Sequence, residues 1–127
     1  MTAPGLLLDS NIVVWLDEKS KRLTERVVRQ IENAPTVFVS AVTAWELSIK
    51  ESLGDLTLAR PVSEFIRTLG LTELPMTIRH AEAVRCLPLY HRDLFDRLLI
   101  VQAQAEGLVL VTGDKKLAQY GIPILQV

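Results

Sequence analysis

The sequence predicts a three-layer α/β/α domain built on a short, mainly parallel central sheet of four to five strands. Three observations lead there. First, short apolar runs at residues 5–9, 36–40, 71–76, 108–112 and 122–127 alternate with longer segments of helical spacing. Second, strands that alternate with helices require right-handed crossovers, which leave a parallel sheet covered on both faces. Third, residues 94–105 are apolar for most of three helical turns, and a helix that greasy belongs in a core. At 127 residues, with 49% apolar and 23% charged, the chain is one globular domain, 1–127, with room for that core.

Taken in order, residues 5–9 form a buried strand ending on Asp9. Ser10 or Asn11 is expected to cap the helical turns of Ile12, Val13, Val14, Trp15 and Leu16. Residues 17–21 are a charged break. Residues 23–33 place Val27, Val28 and Ile31 among Arg26, Arg29 and Glu32, a half-exposed helix stopped by Pro35. Residues 36–40 are β-branched and aromatic, a second buried strand. Ser40 caps a helix whose buried face is expected to be Val42, Trp45, Ile49 and Leu53, with Gly54 closing it. Pro61 opens a helix through Phe65, Ile66 and Leu69 that ends at Gly70. Residues 71–76 form a weaker strand, and Thr77 caps a helix through Ile78, Ala81, Val84 and Cys86, ended by Pro88. Asp93 stands at the N-cap of the greasy helix, which Gly107 stops. The strand at 108–112 follows. Gly113-Asp114 then turns into a short helix, 115–120, closed by Gly121. In the last strand, Pro123 marks an edge.

The bulk numbers narrow the function. A net charge of −1 carries no basic signal for nucleic acid, although local basic groups or a metal can supply one; residues 19–29 are a candidate basic face. Cys86 is the single cysteine, so no intrachain disulfide forms and a reducing cytoplasm is expected. Only Leu6-Leu7-Leu8 is apolar near the start, too short for a signal peptide or a spanning helix, and no membrane association is expected. His80 and His91 form no HExxH pattern, with His91 read as a loop group or one that supports the site from behind. Zinc clusters, phosphate-binding glycine patterns and a GxSxG elbow are absent.

What remains is carboxylate. In doubly wound sheets ligands sit beyond the carboxyl ends of strands. That rule picks out Asp9 and Asp114, since each follows a strand. Glu46 follows the second strand on its helix, and Asp96 stands in the first turn of the greasy helix. Carboxylates crowded at one edge repel unless a cation or protons intervene, and hard oxygen donors suit Mg²⁺ or Mn²⁺. Singly, each has an ordinary reading. Asp93 reads first as an N-cap. Asp96 can favour the helix dipole or pair with Arg92 or Arg97. Glu46 can pair with Lys50, four residues on, on a solvated face. Asp114 can cap residues 115–120, and Asp9 can be a turn residue.

These stretches together resemble the PIN-domain family, in particular the VapC-type toxin ribonucleases of type II toxin–antitoxin systems. Residues 6–11, Leu-Leu-Leu-Asp-Ser-Asn, with Val14-Trp15-Leu16, resemble the family's opening strand and turn. Residues 40–50 with Leu53-Gly54-Asp55-Leu56 resemble its central helix. Residues 91–100 resemble a subfamily hallmark, and Thr112-Gly113-Asp114 matches the closing Thr-x-Asp. The likeness runs in order from about Leu6 to Leu125. It implies a sequence-selective, Mg²⁺- or Mn²⁺-dependent endoribonuclease. Asp9, Glu46, Asp96 and Asp114 would be its catalytic and metal residues, supported by Ser10, Asp93 and Thr112. The products would be a 5′-phosphate and a 3′-hydroxyl. It also implies a homodimer silenced by a cognate VapB-type antitoxin, with operator DNA bound only through that antitoxin. The chain departs from the pattern at Ser10-Asn11, where Thr-His is commoner, at Leu94, where proline is usual, and at Gly113 and Lys115 around the last acid. Two other readings compete: a non-catalytic PIN protein that binds an antitoxin, and a metal-dependent phosphatase or phospho-receiver, of which the first would want Asp-x-Asp where Asp9-Ser10-Asn11 stands and the second an acid pair where Asp9 stands alone.

Overall fold

The structure, a computed structural model, describes residues 3–90 and 92–127; both readings of His91 lie outside them. Five strands make one sheet: β1 (Leu6–Leu8), β2 (Val37–Ser40), β3 (Thr72–Leu74), β4 (Val109–Thr112) and β5 (Ile124–Gln126). The order is β3-β2-β1-β4-β5 and every pairing is parallel. Chain order runs outward from β1 in one direction to β3, then resumes on the other side with β4 and β5. The reversal falls between β1 and β4, where Leu6, Leu7 and Leu8 pair with Val109, Leu110 and Val111. β5 lies at the edge, as Pro123 indicated.

Among the described residues, six α-helices connect the strands: α1 (Ser10–Glu18), α2 (Glu25–Asn33), α3 (Ala41–Ser52), α4 (Val62–Leu69), α5 (Ile78–Ala83) and α6 (Leu94–Glu106). Two stretches are 3₁₀ turns rather than α-helix, Val84–Cys86 and Lys115–Tyr120. The side-chain period of two splits β1 between the two faces. Leu6 and Leu8 join Val37, Val39 and Val111 under α1, α2 and α4, with Ile12, Val27, Ile31 and Phe65 buried there. Leu7 and Leu110 face the opposite layer, where α6 supplies Leu98, Leu99, Ile100, Val101 and Ala103. The greasy helix is therefore the main element of that side of the core, with Val42, Leu87, Leu117 and Tyr120 beside it.

Local capping follows the expected chemistry with one exception. Ser40, Thr77 and Asp93 each accept a backbone N–H at the head of their helix, from Val42, His80 and Asp96. Thr24 does the same for α2. The exception is α1. Its N-cap is Asp9 itself, extended at φ −66°, and neither Ser10 nor Asn11 caps it. Ser10 is already helical, because the strand stops at Leu8, and its hydroxyl is free to reach across the sheet edge.

The expected face of α3 is also corrected. Its buried residues are Val42, Thr43, Glu46 and Leu47, whereas Trp45 is 50% exposed, Leu53 69% and Ile49 is at the surface. Apolar spacing identified a stripe, but the sheet turns the adjacent strip inward and takes Glu46 with it.

Candidate active site

β1 and β4 deliver the first two acids to the point where strand order reverses. Asp9 follows β1 directly and is held by its own N–H to the Val111 carbonyl at 3.0 Å. Thr112, the last residue of β4 and fully buried, donates its hydroxyl to Asp9 Oδ2 at 2.7 Å. The same Oγ1 accepts the backbone N–H of Asp114 at 3.0 Å. One hydroxyl thus ties the carboxylate after β1 to the backbone after β4. Asp114 is half-buried, and its Oδ1 accepts the Lys116 N–H at 2.9 Å, so it does cap the 3₁₀ turn. Gly113 lies against the Trp15 ring, where an added Cβ would meet the ring at 3.2 Å.

α3 brings the third acid. Ser10 Oγ donates to Glu46 Oε1 at 2.5 Å, and Lys50 Nζ pairs with Oε2 at 3.1 Å. The i,i+4 pair anticipated from spacing is real, but the face is not solvated: Glu46 is only 8% exposed. Glu46 stands close enough to Asp9 for their charges to interact. Burial pushes the Asp9 carboxyl above the ordinary carboxylate range, and repulsion from Glu46 acts in the same direction. The Thr112 hydroxyl and the backbone amides of Asn11 and Ser10 pull it partly back, although neither amide closes a capping hydrogen bond.

The fourth acid, Asp96, is half-buried in the first turn of α6, where its N–H is held by Asp93 Oδ1 at 3.0 Å. Asp93 itself is exposed and caps the helix. The start of α6 is pinned to α3 by an edge-on contact between Phe95 and Trp45, ring centroids 5.1 Å apart, each next in sequence to one of the acids. Asp9, Ser10, Glu46, Thr112 and Asp114 therefore form one connected array. Asp96 stands beside it in the first turn of α6, whose start the Phe95–Trp45 contact pins to α3 next to Glu46. Among the described residues, no three His, Cys, Asp or Glu side chains stand close enough as placed to hold a metal ion. The donor chemistry nonetheless suits a hard divalent cation, since a buried carboxyl raised beside a second carboxylate is the repulsion such an ion relieves.

Three polar groups escaped the sequence reading. Gln102 is fully buried in α6, accepting from Ser40 Oγ at 2.5 Å, donating to the Pro75 carbonyl at 3.3 Å and lying 3.3 Å from His80 Nδ1. His80 closes a capping box with Thr77. Arg97 donates to the carbonyls of Val84, Leu87 and Pro88 and so holds the segment leading into α6. The signal for Gln102 was an amide inside an apolar run. A groove of about 750 Å³ beside Trp15, Leu16, Leu23, Val28 and Leu71 lies toward the starts of β2 and β3 and is lined by none of the four acids. The chemistry, not the volume, marks the site.

In a parallel α/β/α domain the reversal of strand order is where ligands sit, and here carboxylates stand at it. The PIN-domain family model matches residues 6–123, and the chain belongs to that family. It is 31% identical over 125 residues to ribonuclease VapC22 of Mycobacterium tuberculosis, with 93% of each chain covered. The fold is shared with solved structures of lower identity. The DNA-bound VapBC of Salmonella typhimurium superposes with a TM-score of 0.71 at 18% identity, covering 98% of both chains. VapBC2 of Rickettsia felis bound to a promoter DNA fragment gives 0.70 at 16%, covering 96% of this chain and 98% of that one. FitAcB of Neisseria gonorrhoeae gives 0.67 at 21%, covering 95% and 96%.

Proposed function

We propose that this protein is a divalent-metal-dependent, sequence-selective endoribonuclease and the toxin of a toxin–antitoxin pair. The observation that carries the reading is the array at the strand reversal, in which Thr112 ties Asp9 to Asp114 while Ser10 holds Glu46 beside them. Family membership and the ribonuclease name of the 31% identical relative support it.

Asp9, Glu46, Asp96 and Asp114 are the residues that would hold Mg²⁺ or Mn²⁺. When bound, the ion would supply positive charge against the scissile phosphate and would acidify water. The chain's own groups set the geometry. Thr112 fixes the Asp9 carboxylate in one rotamer by donating to Oδ2, and Ser10 does the same for Glu46. Asp93 fixes the backbone at Asp96. Such fixing means that little reorganisation is needed at the moment of reaction. Water adds to phosphorus, the 3′ oxygen leaves, and the products carry a 5′-phosphate and a 3′-hydroxyl.

The partner is a VapB-type antitoxin, as in the VapBC complexes that share the fold, with operator DNA engaged only through it. The apolar groove beside Leu16, Leu23 and Val28, edged by Lys19, Arg29 and Glu25, supports binding of a partner segment with mixed apolar and charged side chains. Homodimerisation is supported by the exposed Trp45 on α3, Leu53 just after it and Leu94 at the start of α6. Among the described residues, no helix is long and apolar enough to cross a membrane, and a cytoplasmic protein is the reading that the single cysteine favours.

The test is to incubate antitoxin-free protein with total cellular RNA in Mg²⁺ or Mn²⁺, with and without chelator, and to map new 5′ ends by sequencing. Asp96→Asn, checked for folding, runs beside it. Metal-dependent cuts at a few sites, lost in the variant, are expected. Cutting unchanged by the variant, or no cutting at all, would replace this reading with a binding-only PIN protein.

A further inference from the structure

We propose that Lys50 is a built-in counter-ion of the acidic site, a positioning residue that competes with a divalent cation for Glu46 and so sets how tightly the site holds one. The inference rests on the metal-dependent reading above. Glu46 is buried, yet both its oxygens are engaged: Oε1 accepts from the Ser10 hydroxyl at 2.5 Å and Oε2 pairs with the Lys50 ammonium at 3.1 Å. A carboxylate so committed has to exchange a partner before it can reach a cation. Ser10 is 4% exposed at the head of α1 and has nowhere to turn without leaving a buried polar group unpaired. The Lys50 side chain is 45% exposed, long and flexible, and its ammonium can move into water at small cost. Lys50 is therefore the partner that yields.

The ammonium also explains how the site tolerates its own charge. Glu46 repels Asp9, and the Lys50 charge at Oε2 balances one of the two carboxylates while no cation is present. The pair has the favourable order for a helix, with the acid four residues before the base, so the lysine returns when the cation leaves. Cation binding and release of Lys50 are thus coupled, and by linkage each weakens the other by the same factor.

The experiment titrates the full chain, freed of antitoxin, with Mn²⁺ alone, following the free ion by electron paramagnetic resonance. Wild type, Lys50→Met, Lys50→Arg, Glu46→Gln and the double variant Glu46→Gln/Lys50→Met are compared. Lys50→Met is expected to bind Mn²⁺ about two- to five-fold more tightly at low salt, the scale of a half-exposed ion pair. Lys50→Arg should stay near wild type, and the gain should shrink as salt screens the pair. Glu46→Gln should weaken binding, and adding Lys50→Met to it should restore nothing, because the contested oxygen is gone. If Glu46→Gln weakens binding but Lys50→Met leaves it unchanged or weaker, the counter-ion proposal fails and the metal site stands. If wild type binds no Mn²⁺, or Glu46→Gln has no effect, the metal-site reading fails and takes the proposal with it.

Discussion

Thr112→Val removes one hydroxyl and almost nothing else. Valine matches threonine in shape, so at this fully buried position the change is the loss of the hydroxyl's hydrogen bonds. Two bonds disappear. Asp9 Oδ2 loses its 2.7 Å donor, and the Asp114 N–H loses its 3.0 Å acceptor. A hydrogen bond to an ionised group contributes about 1.5–3 kcal/mol, and the Asp114 amide is near enough to the surface to find water instead. The expected loss is therefore about 2–3 kcal/mol where Asp9 is ionised. The pH dependence gives the sharper test. Asp9 is raised in the folded state, so the native chain holds an extra proton between the ordinary carboxylate value and the raised one. Stability falls as pH rises through that window. The Thr112 bond is one of the groups holding Asp9 down, so its removal pushes the carboxyl higher and extends the window upward. The cost of the substitution should accordingly be larger above the raised Asp9 value than below the ordinary carboxylate value, where Asp9 is protonated in both states and only about 1 kcal/mol is lost. Urea unfolding of both proteins, in chelator, across a pH series that starts below the ordinary carboxylate value and runs upward through the window measures the two differences directly. Equal losses at both ends of the series would refute the electrostatic account of the Asp9–Thr112 pair, and no loss at either would remove the bond altogether.

Two further perturbations probe the frame around the site. Asp17 has a side chain only 4% exposed, pairs with Arg60 Nε at 3.2 Å and accepts the Ala59 N–H at 3.1 Å, so Asp17→Ala should lower stability by about 1–3 kcal/mol. Its thermal unfolding curve checks this, and an unchanged midpoint would show that the loop before α4 is not anchored there. Gln102→Leu strips the buried amide from Ser40, Pro75 and His80 and should cost about 2–3 kcal/mol in a urea titration. A neutral result would mean that the network is replaceable by packing.

The order of elements was legible from residues alone because it depends on local chemistry. Ser40, Thr77 and Asp93 announced helix starts by side chains that cap their own backbone. The leucine and valine runs announced strands buried on both faces, and Asp9 and Asp114 stood out by following them. Three features were decided only by packing. The pairing of β1 with β4 joins residues about a hundred apart in the chain, and only that pairing places Thr112 against Asp9. The rotation of α3 turned Glu46 inward and Trp45 outward, because helical spacing marks an apolar stripe without saying which neighbour will cover it. Ser10 looked like a cap and became the donor to Glu46, since a hydroxyl's partner depends on what the fold brings within reach. Local propensity is written residue by residue. Which acids share one edge is a property of strand order and helix rotation, and those are settled only when the two hydrophobic layers close on the sheet.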